Sequence, residues 1–121
     1  STKVGAVIVK DKRIIATGFN GFPPGIADDS RLLDRASKYR LVVHAELNAV
    51  FNAAKNGVPL DGATIYVDGL HMCNDCAKAA VAAGIKRVVC RQDADTERWA
   101  KSLSDAEELL VEAGVGYETT K

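Results

Sequence analysis

The chain predicts an α/β fold, a sheet covered by helices, with parallel β-α-β units in its second half. Three observations carry this prediction. Short apolar runs of strand length alternate with longer helix-like stretches from Leu41 onward. The helix-like stretches stop at glycine, at Gly57 just before Pro59, at Gly84 and at Gly114. The resulting order, β-β-α-β-α-β-α-β, is that of a sheet whose later strands are joined by crossover helices.

Each element has its own signal. Val4 to Val9 is a continuous apolar run of strand length. Asp11-Lys12 turns the chain, and Ile14 to Gly18 reads as the second strand of a hairpin. Gly18 to Gly25 is dense in Gly and Pro, so Phe19 to about Ala36 reads as a long loop, a kind of segment that usually carries function. Leu41 to Asn56 is helix-like, Thr64 to Val67 is a third strand, and Gly69 to Met72 is a loop. Cys73 to Ala83 is a helix of small residues, and Arg87 to Cys90 is a fourth strand. Glu97 to Ala113 is a helix whose Trp99, Leu103, Leu109, Leu110 and Val111 suggest an apolar face, and Tyr117 to Thr119 is a short fifth strand.

The 121 residues make a single domain, 1–121, and an apolar share of 47% is enough for a packed core. Sixteen basic and sixteen acidic side chains cancel, which argues against a nucleic-acid partner, since such binders carry a basic excess or stripe. No apolar run approaches the roughly 18 residues of a membrane span, and no signal-peptide pattern opens the chain. Three cysteines, two of them in Cys-x-x-Cys, read as a reduced metal site in a cytoplasmic protein rather than a disulfide framework. The chain starts on Ser1-Thr2-Lys3-Val4 without Met, and the expectation is that its natural start lies further upstream.

The chemistry sits in His44-Ala45-Glu46, followed 27 residues after the Glu by Cys73-Asn74-Asp75-Cys76. One imidazole and two thiolates leave a fourth position of a tetrahedral zinc open, as catalytic rather than structural sites do. Both clusters open helices, whose N-terminal partial charge favours thiolates. His44 and Glu46, two residues apart, would face opposite sides of a regular helix. They converge on one cavity only if His44 precedes the regular helix, so the helix is expected to begin near His44 and not at Leu41. Singly, a Cys-x-x-Cys is also a redox motif, a His is usually a hydrogen-bonded core or surface residue, and a Glu on a helix is usually solvated. The four together, each at a helix start, favour the metal site. Cys90, ending a strand, reads as a small buried apolar residue.

His-x-Glu with a later Pro-Cys-x-x-Cys is the signature of zinc nucleobase deaminases. From Lys3 to Val89 the chain resembles the deoxycytidylate (dCMP) deaminase branch of the cytidine deaminase superfamily. The resemblance runs through Thr2 to Val9, Thr17-Gly18-Phe19-Asn20-Gly21-Phe22-Pro23, Val43 to Ala49, and Cys73 to Lys86. It implies a three-layer αβα sandwich with a mixed five-stranded sheet, usually with a helix before the first strand. It assigns Zn2+ to His44, Cys73 and Cys76, and proton shuttling to Glu46. It puts Asn20 on the sugar, with Ala45 and Asn48 in the substrate-binding set, and Lys55 on the 5′-phosphate. Lys55 is eleven residues beyond His44, about 16 Å along a helix. That distance implies that it serves a neighbouring subunit's site in a homo-oligomer; a solvated lysine at the helix end is the plainer alternative. Met72 stands where the family has proline and leaves that loop looser, able to reach toward the substrate pocket. His71 is adjacent and read as a loop residue. Members of the branch are often switched by dCTP and dTTP near the Gly-Phe-Asn-Gly-Phe-Pro loop, but Pro24 leaves that loop without a basic residue after Pro23.

The implied reaction is hydrolysis of the exocyclic amine of a cytosine mononucleotide, most simply dCMP and water to dUMP and ammonia. Glu46 takes a proton from the attacking water, passes it to ring N3, and then protonates the departing amine. Its neighbours Ala45, Leu47, Ala49 and Val50 are uncharged, as a shuttle that titrates repeatedly requires, and Asn20, Asn48 and Asn52 supply a polar setting for a sugar. Two other classes compete. A polynucleotide deaminase acting on single-stranded DNA cytosine or tRNA adenosine needs phosphate-binding basic surface, which a net charge of zero disfavours. A non-catalytic zinc-binding assembly protein would have no use for Glu46.

Overall fold

A computed structural model describes residues 5–27, 29, 31, 34, 36, 40–68, 72–91 and 100–120. The hairpin forms as expected. Strands β1 (Gly5–Lys10) and β2 (Arg13–Phe19) flank Asp11 and Lys12, both at positive φ (52° and 66°). Positive φ at both central positions matches the right-handed twist of the strands it joins. A bulge at Ile8/Val9 shifts the register: Ile8 lies opposite Ala16 and Val9 opposite Ile14.

Helix α1 (Ala45–Lys55) follows, and His44 is its N-cap, with extended backbone (φ −64°, ψ 152°). The start near His44 required by the convergence argument is therefore observed. Strand β3 (Thr64–Asp68), helix α2 (Asn74–Ala82) with Cys73 as N-cap, β4 (Arg87–Arg91), α3 (Ala100–Glu112) and β5 (Gly116–Thr120) complete the order. Gly84 ends α2 at φ 89°, where a Cβ would also strike the Asp61 side chain, so this C-terminal stop strongly favours glycine.

The sheet order is β2-β1-β3-β4-β5. β1 runs antiparallel to both β2 and β3, while β3-β4 and β4-β5 are parallel. Three crossovers, β2-α1-β3, β3-α2-β4 and β4-α3-β5, step the same way across the sheet, and right-handedness puts their helices on one face. Consistent with this, α1 packs on β2 and β1 and touches α2, α2 touches α3, and α3 meets β5. The mixed five-stranded sheet and the α/β class are as expected. The described residues supply this sheet and one helical layer of the αβα sandwich.

The core lies between that layer and the sheet: Ile8, Ile65 and Val88 from the strands, Ala45, Ala49 and Ala53 from α1, Ala77 and Ala80 from α2, and Leu110 from α3. Alanines at i, i+4 and i+8 bring α1 close to the sheet. One expectation for α3 changes. Ala106 and Leu110 form its buried stripe, whereas Val111, about 100° further round the helix, is 65% exposed. Trp99 lies outside the described residues, as do Val4, His71 and the side chain of Leu103.

Candidate metal centre and active site

Two helix N-termini meet at the site. His44 caps α1 and Cys73 caps α2, both on extended backbone, and neither side chain bonds its own helix as Ser or Asp would. They turn to each other instead. His44 Nδ1 lies 3.3 Å from Cys73 Sγ and 3.5 Å from Cys76 Sγ, and the two sulfurs are 3.3 Å apart. Cys76 joins Cys73 on one side of α2 because three residues make nearly one turn. A tetrahedral zinc with ordinary Zn–S and Zn–N bonds sets its ligand atoms about 3.6–3.8 Å apart, so this triangle fits the ion with shifts of a few tenths of an ångström. Among the described residues it is the only His/Cys/Asp/Glu group able to hold a metal ion.

The charges suit a cation. The Cys73 thiol is pulled down to about 4 by the hydrogen bond from Cys76, assisted by His44. The Cys76 thiol is pushed up, first by that bond and then by burial. Binding a divalent ion takes both sulfurs as thiolates and releases their protons. Cys73 in turn raises the His44 pKa by hydrogen bonding.

Glu46 lies beside the triangle, in the first turn of α1, and is the one buried charged residue among the described positions, at 4% exposure. Desolvation raises its pKa above the ordinary carboxylate value, while a hydrogen bond with Cys76 opposes the rise. A buried carboxyl tuned upward beside a metal-ligand cluster is the arrangement of a general acid–base.

The remaining candidates divide. Ala45 is fully buried and opens α1, so its main-chain N–H has no intrahelical acceptor. Asn20 follows β2 directly, next to Gly21, which pairs with Val43 beside His44. Asn48 Nδ2 donates to Phe19 O at 2.6 Å and to Val43 O at 3.4 Å, and Asn52 Nδ2 donates to Thr17 O at 2.8 Å. These donors serve the main chain around Asn20. Lys55 is exposed at the far end of α1, away from the ligand triangle. Met72 does not reach into an open pocket: its unbranched thioether side chain is fully buried in the core, where it fills space among apolar neighbours. Cys90 is likewise fully buried.

One functional contact was not anticipated. Gly18 lies against α1 so tightly that a Cβ would collide with Ala45 O and the Ala49 main-chain nitrogen. A glycine within a strand pattern is the available signal for such an approach.

Residues 1–92 match the family described as cytidine and deoxycytidylate deaminase zinc-binding region. The chain belongs to this zinc-binding deaminase family. Among curated relatives, the deoxycytidylate deaminase of Enterobacteria phage T4 is 34% identical over 155 residues, covering 95% of this chain and 77% of that protein. The human deoxycytidylate deaminase is 41% identical over 100 residues, covering 77% of this chain but 54% of its own length. The chain thus spans about half of the human enzyme, and 58% of the ComE operon protein 2 of Bacillus subtilis, to which it is 42% identical over 120 residues, 95% of this chain. Among solved structures, the dCMP deaminase of cyanophage S-TIM5 in complex with dCMP and dUMP superposes with a TM-score of 0.78 at 33% identity, covering 97% of this chain and 80% of that one. The deaminase family, the zinc and the mixed five-stranded sheet that the motifs imply are thereby established. No helix among the described residues is long and apolar enough to cross a membrane.

Proposed function

We propose that the chain catalyses hydrolytic deamination of dCMP to dUMP and ammonia, with Glu46 as the proton shuttle. The observation that carries this reading is the buried, upward-tuned Glu46 beside a three-ligand triangle that leaves a fourth tetrahedral position open. Likeness to named deoxycytidylate deaminases and to a dCMP- and dUMP-bound structure supports the choice of base and sugar. Zinc held by His44, Cys73 and Cys76 supplies Lewis acidity and water that ionises at a pKa of about 7.

The chain's own groups do the rest. Glu46 accepts the proton of the attacking water, delivers it to cytosine N3 as C4 becomes tetrahedral, and protonates the exocyclic nitrogen, which leaves as ammonia. Burial suits this work, because desolvation raises the affinity of the carboxyl for a proton. The main-chain N–H of Ala45 and the side chain of Asn20 hold the base and sugar, and Asn48 serves that set from α1 by bonding the main chain beside Asn20. Lys55 serves the 5′-phosphate of a neighbouring subunit's nucleotide, which makes the enzyme a homo-oligomer. The protein acts in the cytoplasm, where its three free cysteines stay reduced.

Two experiments separate this from its rivals. Zinc-loaded protein offered dCMP, dCTP, deoxycytidine and CMP should release ammonia fastest from dCMP; release from none of them rejects the reading. A single-stranded oligonucleotide should compete poorly with dCMP, since the formal net charge is zero. For subunit sharing, a mixture of Lys55→Ala and Glu46→Ala proteins should recover activity that neither has alone. Absence of recovery assigns Lys55 to solvent.

A further inference from the structure

The end of β2, Thr17 to Phe19, runs on through Asn20 and Gly21 as a strap across α1, and its attachments converge on Asn20 and His44. Gly18 lets the strap lie directly against the Ala45 and Ala49 main chain. Asn52 Nδ2 holds Thr17 O at 2.8 Å. Asn48 Nδ2 holds Phe19 O at 2.6 Å, and it reaches Val43 O at 3.4 Å. Gly21 and Val43 exchange two main-chain bonds, Gly21 N to Val43 O at 3.1 Å and Val43 N to Gly21 O at 2.7 Å. Asn20 is therefore fixed from the residue on either side, and Val43, beside the ligand His44, is tied to the same strap.

We propose that Asn48 is a positioning residue, which pins this strap so that Asn20 and His44 keep one register, and which acts on the nucleotide through Asn20. The proposal refines the dCMP reading and rests on it for the sugar contact of Asn20. The chemistry asks for an amide. One Nδ2 carries two N–H groups and two carbonyl oxygens of different segments lie within its reach, whereas an ionised aspartate would set acceptors against acceptors. A shift of the strap would move Asn20 relative to the metal ligands without touching the shuttle carboxyl, and small misplacements of a substrate-holding group weaken productive binding.

Steady-state kinetics on zinc-loaded full chain, combined with amide hydrogen exchange, test this. Asn48→Ala should raise KM for dCMP about tenfold with kcat within about threefold. Asn20→Ala should raise KM at least as far, and the double variant Asn20→Ala/Asn48→Ala should be no worse than Asn20→Ala alone, because both changes remove one function. Effects that multiply in the double variant mean that Asn48 touches the nucleotide independently, and they overturn the proposal. Exchange needs no substrate: the Gly21 and Val43 amides should exchange about tenfold faster in Asn48→Ala. Unchanged exchange overturns the strap. A wild-type KM in Asn20→Ala with fast exchange in Asn48→Ala removes the sugar contact while leaving the strap standing, and it overturns the route through Asn20. Asn48→Ser, which is smaller but still polar, replaces Asn48→Ala should that variant fail to fold, and Asn48→Asp should have the higher KM of the two.

Discussion

Cys76 and Cys90 are both buried to within 1% of full closure, yet only Cys76 stands among other metal donors. Cys76 sits in the first turn of α2 with Cys73 Sγ and His44 Nδ1 at 3.3 and 3.5 Å, so its sulfur, itself pushed up, stands beside the lowered thiol of Cys73 and an imidazole. Cys90 ends a central strand, and burial pushes its thiol up to about 11, where it stays protonated. It meets the Met72 main chain and the Tyr117 hydroxyl and, among the described residues, belongs to no group of metal donors. Burial therefore does not make a metal ligand. Convergence of donors at helix starts does, and the fold achieves it by starting α1 and α2 at the same point.

Substitutions at the two positions should separate by orders of magnitude. Cys76→Ala should abolish stoichiometric zinc and lower dUMP formation by at least about 1,000-fold, since removing one of three ligands leaves a two-ligand site. One zinc per chain in that variant, measured by elemental analysis, would break the contrast. Gly18→Ala should destabilise the fold by about 1–3 kcal/mol in denaturant titration, because the added methyl meets main chain and not a movable side chain. Cys90→Ala should leave zinc content unchanged and reduce stability by about 1 kcal/mol through a small cavity. The native Cys90 thiol should also resist a thiol reagent that reacts once the protein is unfolded.

The smallest effect concerns Glu46 in metal-depleted protein. Its pKa is raised in the fold, so the folded state binds the proton more tightly than the unfolded chain does. Its contribution to stability is then present at low pH and is lost as pH rises from the unfolded value through the folded one. Glu46→Gln removes this loss. The melting temperature of Glu46→Gln should exceed that of wild type by a few degrees at pH 8, and the gap should close toward pH 4. A gap that widens on acidification means that Glu46 is stabilised as an anion.

What could be read from the sequence follows the same division. The ligand triangle and the buried carboxyl beside it are legible because metal chemistry fixes both residue type and spacing, and the start of α1 follows from the demand that His44 and Glu46, two positions apart, serve one cavity. The helix-stopping glycines marked the ends of α1, α2 and α3 through their left-handed conformation, with φ of 68°, 89° and 76° at Gly57, Gly84 and Gly114. The Asn48 and Asn52 amides were read as a polar sugar setting. Their donors in fact go to carbonyls 29 and 35 residues away on β2, a pairing created only when α1 docks on that edge strand. Met72 and Val111 were misplaced for a related reason: a short apolar residue pattern does not say which side of a helix or loop the core will take.

The most direct test of the whole account is the initial rate of dUMP formation from dCMP by Glu46→Gln protein that still carries one zinc per chain. The account predicts a rate lower by at least about 100-fold, the usual reach of a positioned acid–base group, at unchanged metal content. A rate near that of wild type, with zinc in place, contradicts it.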